Sequence, residues 1–138
     1  MIRATALLLL LAFPAFAEPW TARLRSPAAY DGDTLSVIVP ELPDPLQRMS
    51  VRVLGVDTPE IRGRCESERR KAADARAFVL FAFRGAETVE IDVIGWDKYG
   101  GRIDAHVRMP DGRDLATALI EAGLGRPYDG GRRAGWCD

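Results

Sequence analysis

The sequence predicts an α+β fold that is mainly β: a five-stranded OB-fold barrel with a helix between strands 3 and 4 and a short helix after strand 5. Three observations predict it. Apolar and polar residues alternate over several short runs, among them Val89-Glu90-Ile91-Asp92-Val93. One longer segment changes to helical spacing, with Ala75, Phe78, Val79 and Ala82 at i, i+3, i+4 and i+7. The order of these runs is three strands, a helix, two strands and a helix. That is the order of an OB barrel, which binds polyanions across one face.

Thr21 to Tyr30 reads as the first strand, made irregular by Pro27, and Asp31-Gly32 as a hairpin turn. Leu35, Val37 and Val39 form the core side of strand two. Asp33 shares their parity, so its carboxylate points into the end of the barrel. Pro40, Pro43 and Pro45 make a loop of the segment up to Met49. Strand three runs from about Ser50 to Val56, with Val51 and Val53 facing in and Asp57, of the same parity, at the mouth. Arg52 has the opposite parity. A bulge near Gly55 or strong coiling is needed to bring it to the same place.

Ile61 to Arg70 is a polar, Arg-rich loop, and Lys71 to Arg84 is the predicted helix, with Gly85 as its C′ residue. Glu87 to Ile94 is strand four, and Gly95 to Gly101 turns the chain. Ile103, Ala105, Val107 and Met109 then face in from strand five, opposite Arg102, Asp104, His106 and Arg108. Asp114 N-caps a short helix, Leu115 to Ala122, which Gly123 stops. The Gly- and Arg-rich tail from Leu124 is read as irregular.

Residues 1–17 look like a signal peptide: Arg3 is the charged start, Ala4 to Phe13 an apolar run, and Ala15-Phe16-Ala17 a small-x-small cleavage site. The run is too short to span a bilayer as a mature helix. Cleavage leaves residues 18–138, enough for one domain, exported to the periplasm or secreted. An uncleaved membrane anchor is the other reading.

The 19 Lys and Arg against 20 Asp and Glu give a net charge of −1, unlike the basic excess of a duplex-coating protein. Basic residues cluster locally instead, at Arg62, Arg64, Arg69, Arg70 and Lys71 and at Arg126, Arg132 and Arg133. Such clusters either guide a polyanion or form a solvated face. The two cysteines, Cys65 and Cys137, favour a disulfide in an oxidising compartment, with two buried free thiols as the alternative. His106 is the single histidine, which excludes a multi-histidine zinc site.

Arg52-Val-Leu-Gly-Val-Asp57-Thr58-Pro59-Glu60 is the most informative stretch. A stiff strand ends in a fixed-φ turn that holds two carboxylates at a sheet's rim, with a guanidinium upstream. Hard cations take carboxylate and carbonyl oxygens, and Arg suits phosphate oxygens. Cation ligands and a phosphate clamp on one segment suggest phosphodiester chemistry.

Tyr30-Asp31-Gly32-Asp33-Thr34, then Asp57-Thr58-Pro59-Glu60, then Asp97-Lys98-Tyr99-Gly100-Gly101-Arg102 occur in that order. With these motifs the chain resembles the staphylococcal nuclease (thermonuclease-like) family from about Tyr30 to Leu124. The resemblance implies the same OB fold and a Ca²⁺-dependent nuclease that hydrolyses DNA and/or RNA by metal-assisted attack of water. It implies Asp33, Asp57 and the Thr58 carbonyl as Ca²⁺ ligands and Glu60 as general base. It puts Arg52 and Arg102 on the scissile phosphate, and Lys98 and Tyr99 beside the nucleotide's other phosphate. A monomer with nucleic acid as substrate, and no membrane contact after signal cleavage, is expected.

Each residue type suits its role. Two carboxylates and a carbonyl leave a Ca²⁺ shell open for water and a phosphate oxygen. A free carboxylate can deprotonate that water, and two guanidiniums offset charge growing on the phosphoryl oxygens. Two departures from the family pattern stand out: Gly101 intervenes before Arg102, and the chain stops where the type member continues into a third helix. The tail with Cys137 can replace that helix by a covalent tie.

The main rival is an OB module that binds nucleic acid or oligosaccharide without cutting. It needs stacking aromatics on strands two and three, and none occurs between Leu35 and Glu60. A secreted structural or inhibitor domain would account for the signal and cysteines but not for the carboxylates.

Overall fold

A computed structural model describes residues 18–137; the expected signal peptide, residues 1–17, lies outside the described residues. The elements in chain order are β1 (Trp20–Asp31), β2 (Thr34–Ile38), β3 (Arg48–Val53), β4 (Gly55–Asp57), α1 (Glu66–Ala82), β5 (Thr88–Trp96), β6 (Arg102–Arg108), α2 (Leu115–Glu121) and β7 (Arg126–Tyr128). β1, β2, β3, β6 and β5 close into a barrel in that order, an OB-like arrangement with two helices. Every pairing is antiparallel except β3 with β6. A parallel pair needs a long crossover, and α1 with β5 supplies it.

The alternation read from sequence becomes the core. Leu35, Val37, Val51, Val53, Ile91, Ile103, Ala105 and Val107 are all buried inside the barrel. Val79 and Phe83, at the end of α1, and Leu115 and Leu119 of α2 belong to the same apolar cluster. α2 starts where its cap requires: the Asp114 carboxylate accepts from the Thr117 N–H at 2.8 Å.

Three boundaries differ from expectation. The first helix begins at Glu66 and not Lys71, with Cys65 as N-cap and its sulfur accepting from the Glu68 N–H at 3.4 Å. Glu66 and Glu68 in the first turn suit the positive end of the helix dipole. A buried glutamate adds nothing to an apolar stripe, so hydrophobic spacing cannot reveal this turn.

The expected third strand is also broken. β3 ends at Val53, Gly55 takes φ 89°, and β4 leaves the barrel. It pairs with β7, a strand in the tail where the sequence predicts irregular chain, through Asp57↔Arg126, Val56↔Pro127 and Gly55↔Tyr128. Finally, the β1–β2 turn is centred on Gly32-Asp33, since Asp31 pairs with Thr34.

Cys65 and Cys137 form a disulfide, with Cα atoms 5.9 Å apart. It fastens the N-terminus of α1 to the end of the tail across a sequence separation of 72. A loop of that length corresponds to about 4 kcal/mol in the chain-entropy account. Urea unfolding of residues 18–138 with and without reductant should therefore differ by about 2–4 kcal/mol. Thiol titration of the denatured, unreduced chain should find no free thiol.

Candidate active site

Two rigid segments bring carboxylates to one end of the barrel. The β1–β2 turn contributes Asp31 and Asp33, which are 4% and 2% exposed. Gly32 between them is demanded by close approach: a Cβ there would lie 2.8 Å from both the Thr58 Cγ2 and the Ala75 Cβ. The turn therefore sits directly on the second segment, and the Thr58 N–H donates to Asp33 Oδ2 at 3.2 Å. That second segment carries Asp57, 3% exposed at the end of β4, then Thr58, Pro59 and a half-exposed Glu60. Asp33 and Asp57 are both buried at this mouth, but Asp33 sits in the β1–β2 turn and Asp57 on β4 beyond the break at Gly55, so Asp57 does not continue the alternation of Val51 and Val53.

Glu68, buried in the first turn of α1, holds the loop that follows. Its oxygens accept from the N–H groups of Glu60 at 3.5 Å and Arg64 at 2.9 Å. The backbone just after Pro59 and at Arg64 is held in this way.

Guanidiniums meet these carboxylates. Arg52 Nη1 lies 2.7 Å from Asp33 Oδ2, and Nη2 donates to the Val56 carbonyl at 3.4 Å. The break at Gly55 is the kink that its parity requires: the chain turns back so that Val56 O and Asp33 both face Arg52. From the tail, Arg133 bonds to Asp57 Oδ1, to Glu60 Oε1 at 2.6 Å and to the Thr58 carbonyl at 3.3 Å. The Trp136 indole N–H donates to Asp57 Oδ2 at 3.0 Å. Desolvation works to lower the Arg133 pKa, but its bond to Glu60 and the charge of Asp57 outweigh it and raise the pKa above the usual value.

Asp31 has no such partner. Its Oδ1 is buried without a hydrogen bond, and burial, then the charges of Asp33 and Glu60, push its pKa up to about 7. Thr58 Oγ1 is also buried and unpartnered.

Arg102 lies on the same sheet face as Arg52, because β3 and β6 pair Ser50 with Arg102 and Arg52 with Asp104. Its guanidinium is held by Asp97 Oδ2 at 2.8 Å. The additional glycine is absorbed in the turn: Gly100 and Gly101 take φ 73° and 67°, values an L side chain resists. The turn is closed by Gly100 N–H to Asp97 O and Asp97 N–H to Arg102 O, both at 2.9 Å.

Lys98 and Tyr99 are at the tip of this hairpin, Tyr99 78% exposed, with Lys98 Nζ 5.0 Å from its ring centroid. Asp97 ties the tip to Arg102, accepting from the Tyr99 N–H at 2.8 Å through its other oxygen. Desolvation raises Asp97, but the Tyr99 N–H and the Arg102 guanidinium outweigh it and leave the carboxyl below its ordinary range.

The structure thus gathers Asp33, Asp57, Thr58, Glu60 and Arg52 at one mouth, sets Arg102 on the neighbouring strand, and leaves Lys98 and Tyr99 outside on a projecting hairpin. Sequence reasoning missed four participants: Asp31, Glu68, Arg133 and Trp136. The flanking of one glycine by two aspartates was a usable signal for Asp31, and the cysteine pair was a signal for the tail.

The donors facing the mouth are carboxylate and carbonyl oxygens, the set a hard cation takes. Two further observations fit a cation: an orphaned, buried Asp31 oxygen, and a guanidinium already drawn to Asp57, Thr58 and Glu60. Among the described residues, the one trio of potential ligands within 4.8 Å of one another is Cys65, Glu68 and Cys137, whose sulfurs are spent in the disulfide. The mouth carboxylates are spaced more widely. Beside Glu60 a cleft of about 580 Å³ is lined by Arg62, Arg64, Arg132, Arg133 and Trp136, among others.

Fold and site together define an OB-like barrel with an acidic mouth clamped by arginines. Neither a scan against protein-family models nor a search of curated proteins finds a match to the chain.

Asp31 burdens the fold with a buried, unpaired oxygen among like charges. Asp31→Asn, which removes the charge that burial, Asp33 and Glu60 disfavour, should stabilise the metal-free protein at pH 8 by about 1–3 kcal/mol in urea unfolding. An unchanged or lower stability would mean that the carboxylate is satisfied.

Proposed function

We propose that this protein is an exported, Ca²⁺-dependent nuclease that hydrolyses phosphodiester bonds of DNA and/or RNA. The observation that carries the reading is that Asp33, Asp57, the Thr58 carbonyl and Glu60 ring one mouth, the last three sharing Arg133, with Arg52 in contact and Arg102 on the adjoining strand. These are the residues that the resemblance to the staphylococcal nuclease family selects. Export is supported by the disulfide, which persists in oxidising compartments.

Asp33, Asp57 and the Thr58 carbonyl would hold the cation. Ca²⁺, when bound, polarises the phosphoryl group and makes a bound water more acidic. Glu60 takes the proton of the attacking water on its carboxylate, and Glu68 keeps it in position through the Glu60 N–H. Arg52 and Arg102 bind the non-bridging oxygens and offset the charge that grows on them and on the leaving group. Lys98 and Tyr99, on their exposed hairpin, suit the next phosphate along the strand. Arg62, Arg64 and Arg132 in the cleft beside Glu60 suit flanking phosphates.

One observation favours a second reading, a non-catalytic module that binds nucleic acid or another polyanion: Arg52 and Arg133 are paired with Asp33 and Asp57, the carboxylates proposed as ligands. Digestion of single-stranded DNA and RNA by the mature protein separates the two. The nuclease cuts with Ca²⁺, stops with excess EGTA and resumes when Ca²⁺ is restored. Binding without cutting under all conditions would establish the module instead.

Glu60→Gln should lower kcat by about 10²-fold or more, the scale of a lost general base, with little change in Ca²⁺ affinity. Cleavage at the wild-type rate would remove Glu60 from the mechanism.

Arg102→Ala should cost activity about as much as Arg52→Ala, since the Gly100-Gly101 turn returns Arg102 to the face that Arg52 shares. A near-neutral Arg102→Ala beside a crippled Arg52→Ala would place Arg102 outside the phosphate clamp.

A further inference from the structure

One tail residue spans the oxygens that the proposed cation and its base require. Arg133 donates to Asp57 Oδ1, to the Thr58 carbonyl at 3.3 Å and to Glu60 Oε1 at 2.6 Å. The other Asp57 oxygen is taken by the Trp136 N–H at 3.0 Å. Two of the three proposed ligands and the proposed base are therefore engaged by this tail. The tail is fastened there. Arg126 pairs with Asp57 across β4 and β7, donates to the Gly135 carbonyl at 2.8 Å and stacks on Trp136 with its guanidinium carbon 3.7 Å from the ring centroid. Cys137 then closes the segment covalently onto Cys65.

We propose that the tail is a built-in competitor for the cation: Arg133 and a divalent cation occupy Asp57, Thr58 and Glu60 in mutual exclusion. The inference rests on reading the mouth as a cation site, and it concerns what regulates that site. Without a cation, the guanidinium relieves repulsion between the two carboxylates. A divalent ion brings more charge to the same oxygens and expels Arg133 by repulsion and by volume.

The disulfide keeps the competitor close. Arg133 is four residues from Cys137, and Cys65 is five from Glu60. The Arg133 Cα can therefore move only about 14 Å from its anchor at roughly 3.5 Å per residue. Its effective concentration stays in the millimolar range or above. A site closed nine-tenths of the time binds its ligand about tenfold more weakly than an open one. The tail thus sets the Ca²⁺ level at which the mouth becomes competent.

The test is Ca²⁺ affinity, read by calorimetry and by displacement of luminescent Tb³⁺, on wild type, Arg133→Gln, Arg133→Lys and the double variant Cys65→Ser/Cys137→Ser. Arg133→Gln should bind Ca²⁺ about tenfold tighter. Arg133→Lys should fall between, because an ammonium keeps the charge but lacks the planar fork that reaches three oxygens. The double variant, which keeps Arg133 but frees the tail, should also bind more tightly than wild type. Melting curves establish that each variant is folded, and if Arg133→Gln fails to fold, the other two variants carry the test. Equal or weaker Ca²⁺ binding by the variants overturns the competitor while leaving the cation site intact. No binding by any form even at about 10 mM, above the range of extracellular Ca²⁺ modules, overturns the cation site and the competitor with it.

Discussion

Negative charge concentrated at the mouth of the barrel is the constraint on which the surrounding structure depends. Asp31, Asp33 and Asp57 are buried there and Glu60 stands at the edge. Like charges in a low-dielectric setting repel strongly, and a buried carboxylate without a partner is costly. Two arginines and a proton answer this in different ways. Arg52 reaches Asp33 from β3, Arg133 reaches Asp57 and Glu60 from the tail, and Asp31, left over, holds its proton more tightly. Such an arrangement is poor design for stability alone, since apolar residues of similar volume would serve as well or better.

Much of the irregular backbone follows from this need. The break at Gly55 turns β4 out of the barrel, presents the Val56 carbonyl to Arg52 and opens an edge on which β7 pairs. That pairing places Arg126 opposite Asp57 and leads the tail back across the mouth. The disulfide completes the circuit by joining the tail to the N-cap of α1, one turn from the Glu68 that holds the Glu60 loop. The site rim, the first helix and the tail are therefore one mechanical unit.

Most of the barrel was legible in the sequence. Period-two alternation marked the inward faces of β2, β3, β5 and β6, because a pleated strand sends successive side chains to opposite sides. The same parity assigned Asp33 and Asp57 to the mouth, and both are buried, but the break at Gly55 and not continuous alternation sets the place of Asp57. The cap at Asp114 identified the start of α2, since its carboxylate satisfies a backbone N–H only a few residues away. Two adjacent glycines before Arg102 were readable as turn residues, and both adopt positive φ.

By itself, then, the sequence determined whatever rests on local periodicity and short-range hydrogen bonding: the strand faces, the helix cap, the turns and the carboxylates that share a face with the core. The cysteine pair was legible too, from an even count in a chain that opens with an expected export signal. Only the tertiary structure decided which cation answers which carboxylate. Arg133 lies 76 residues from Asp57, and Asp33 meets Thr58 across 25, so no local pattern links them. The tail carries neither apolar alternation nor helical spacing, because its place is set by ion pairs, one disulfide and a three-residue ladder on an edge that exists only once β4 has left the barrel.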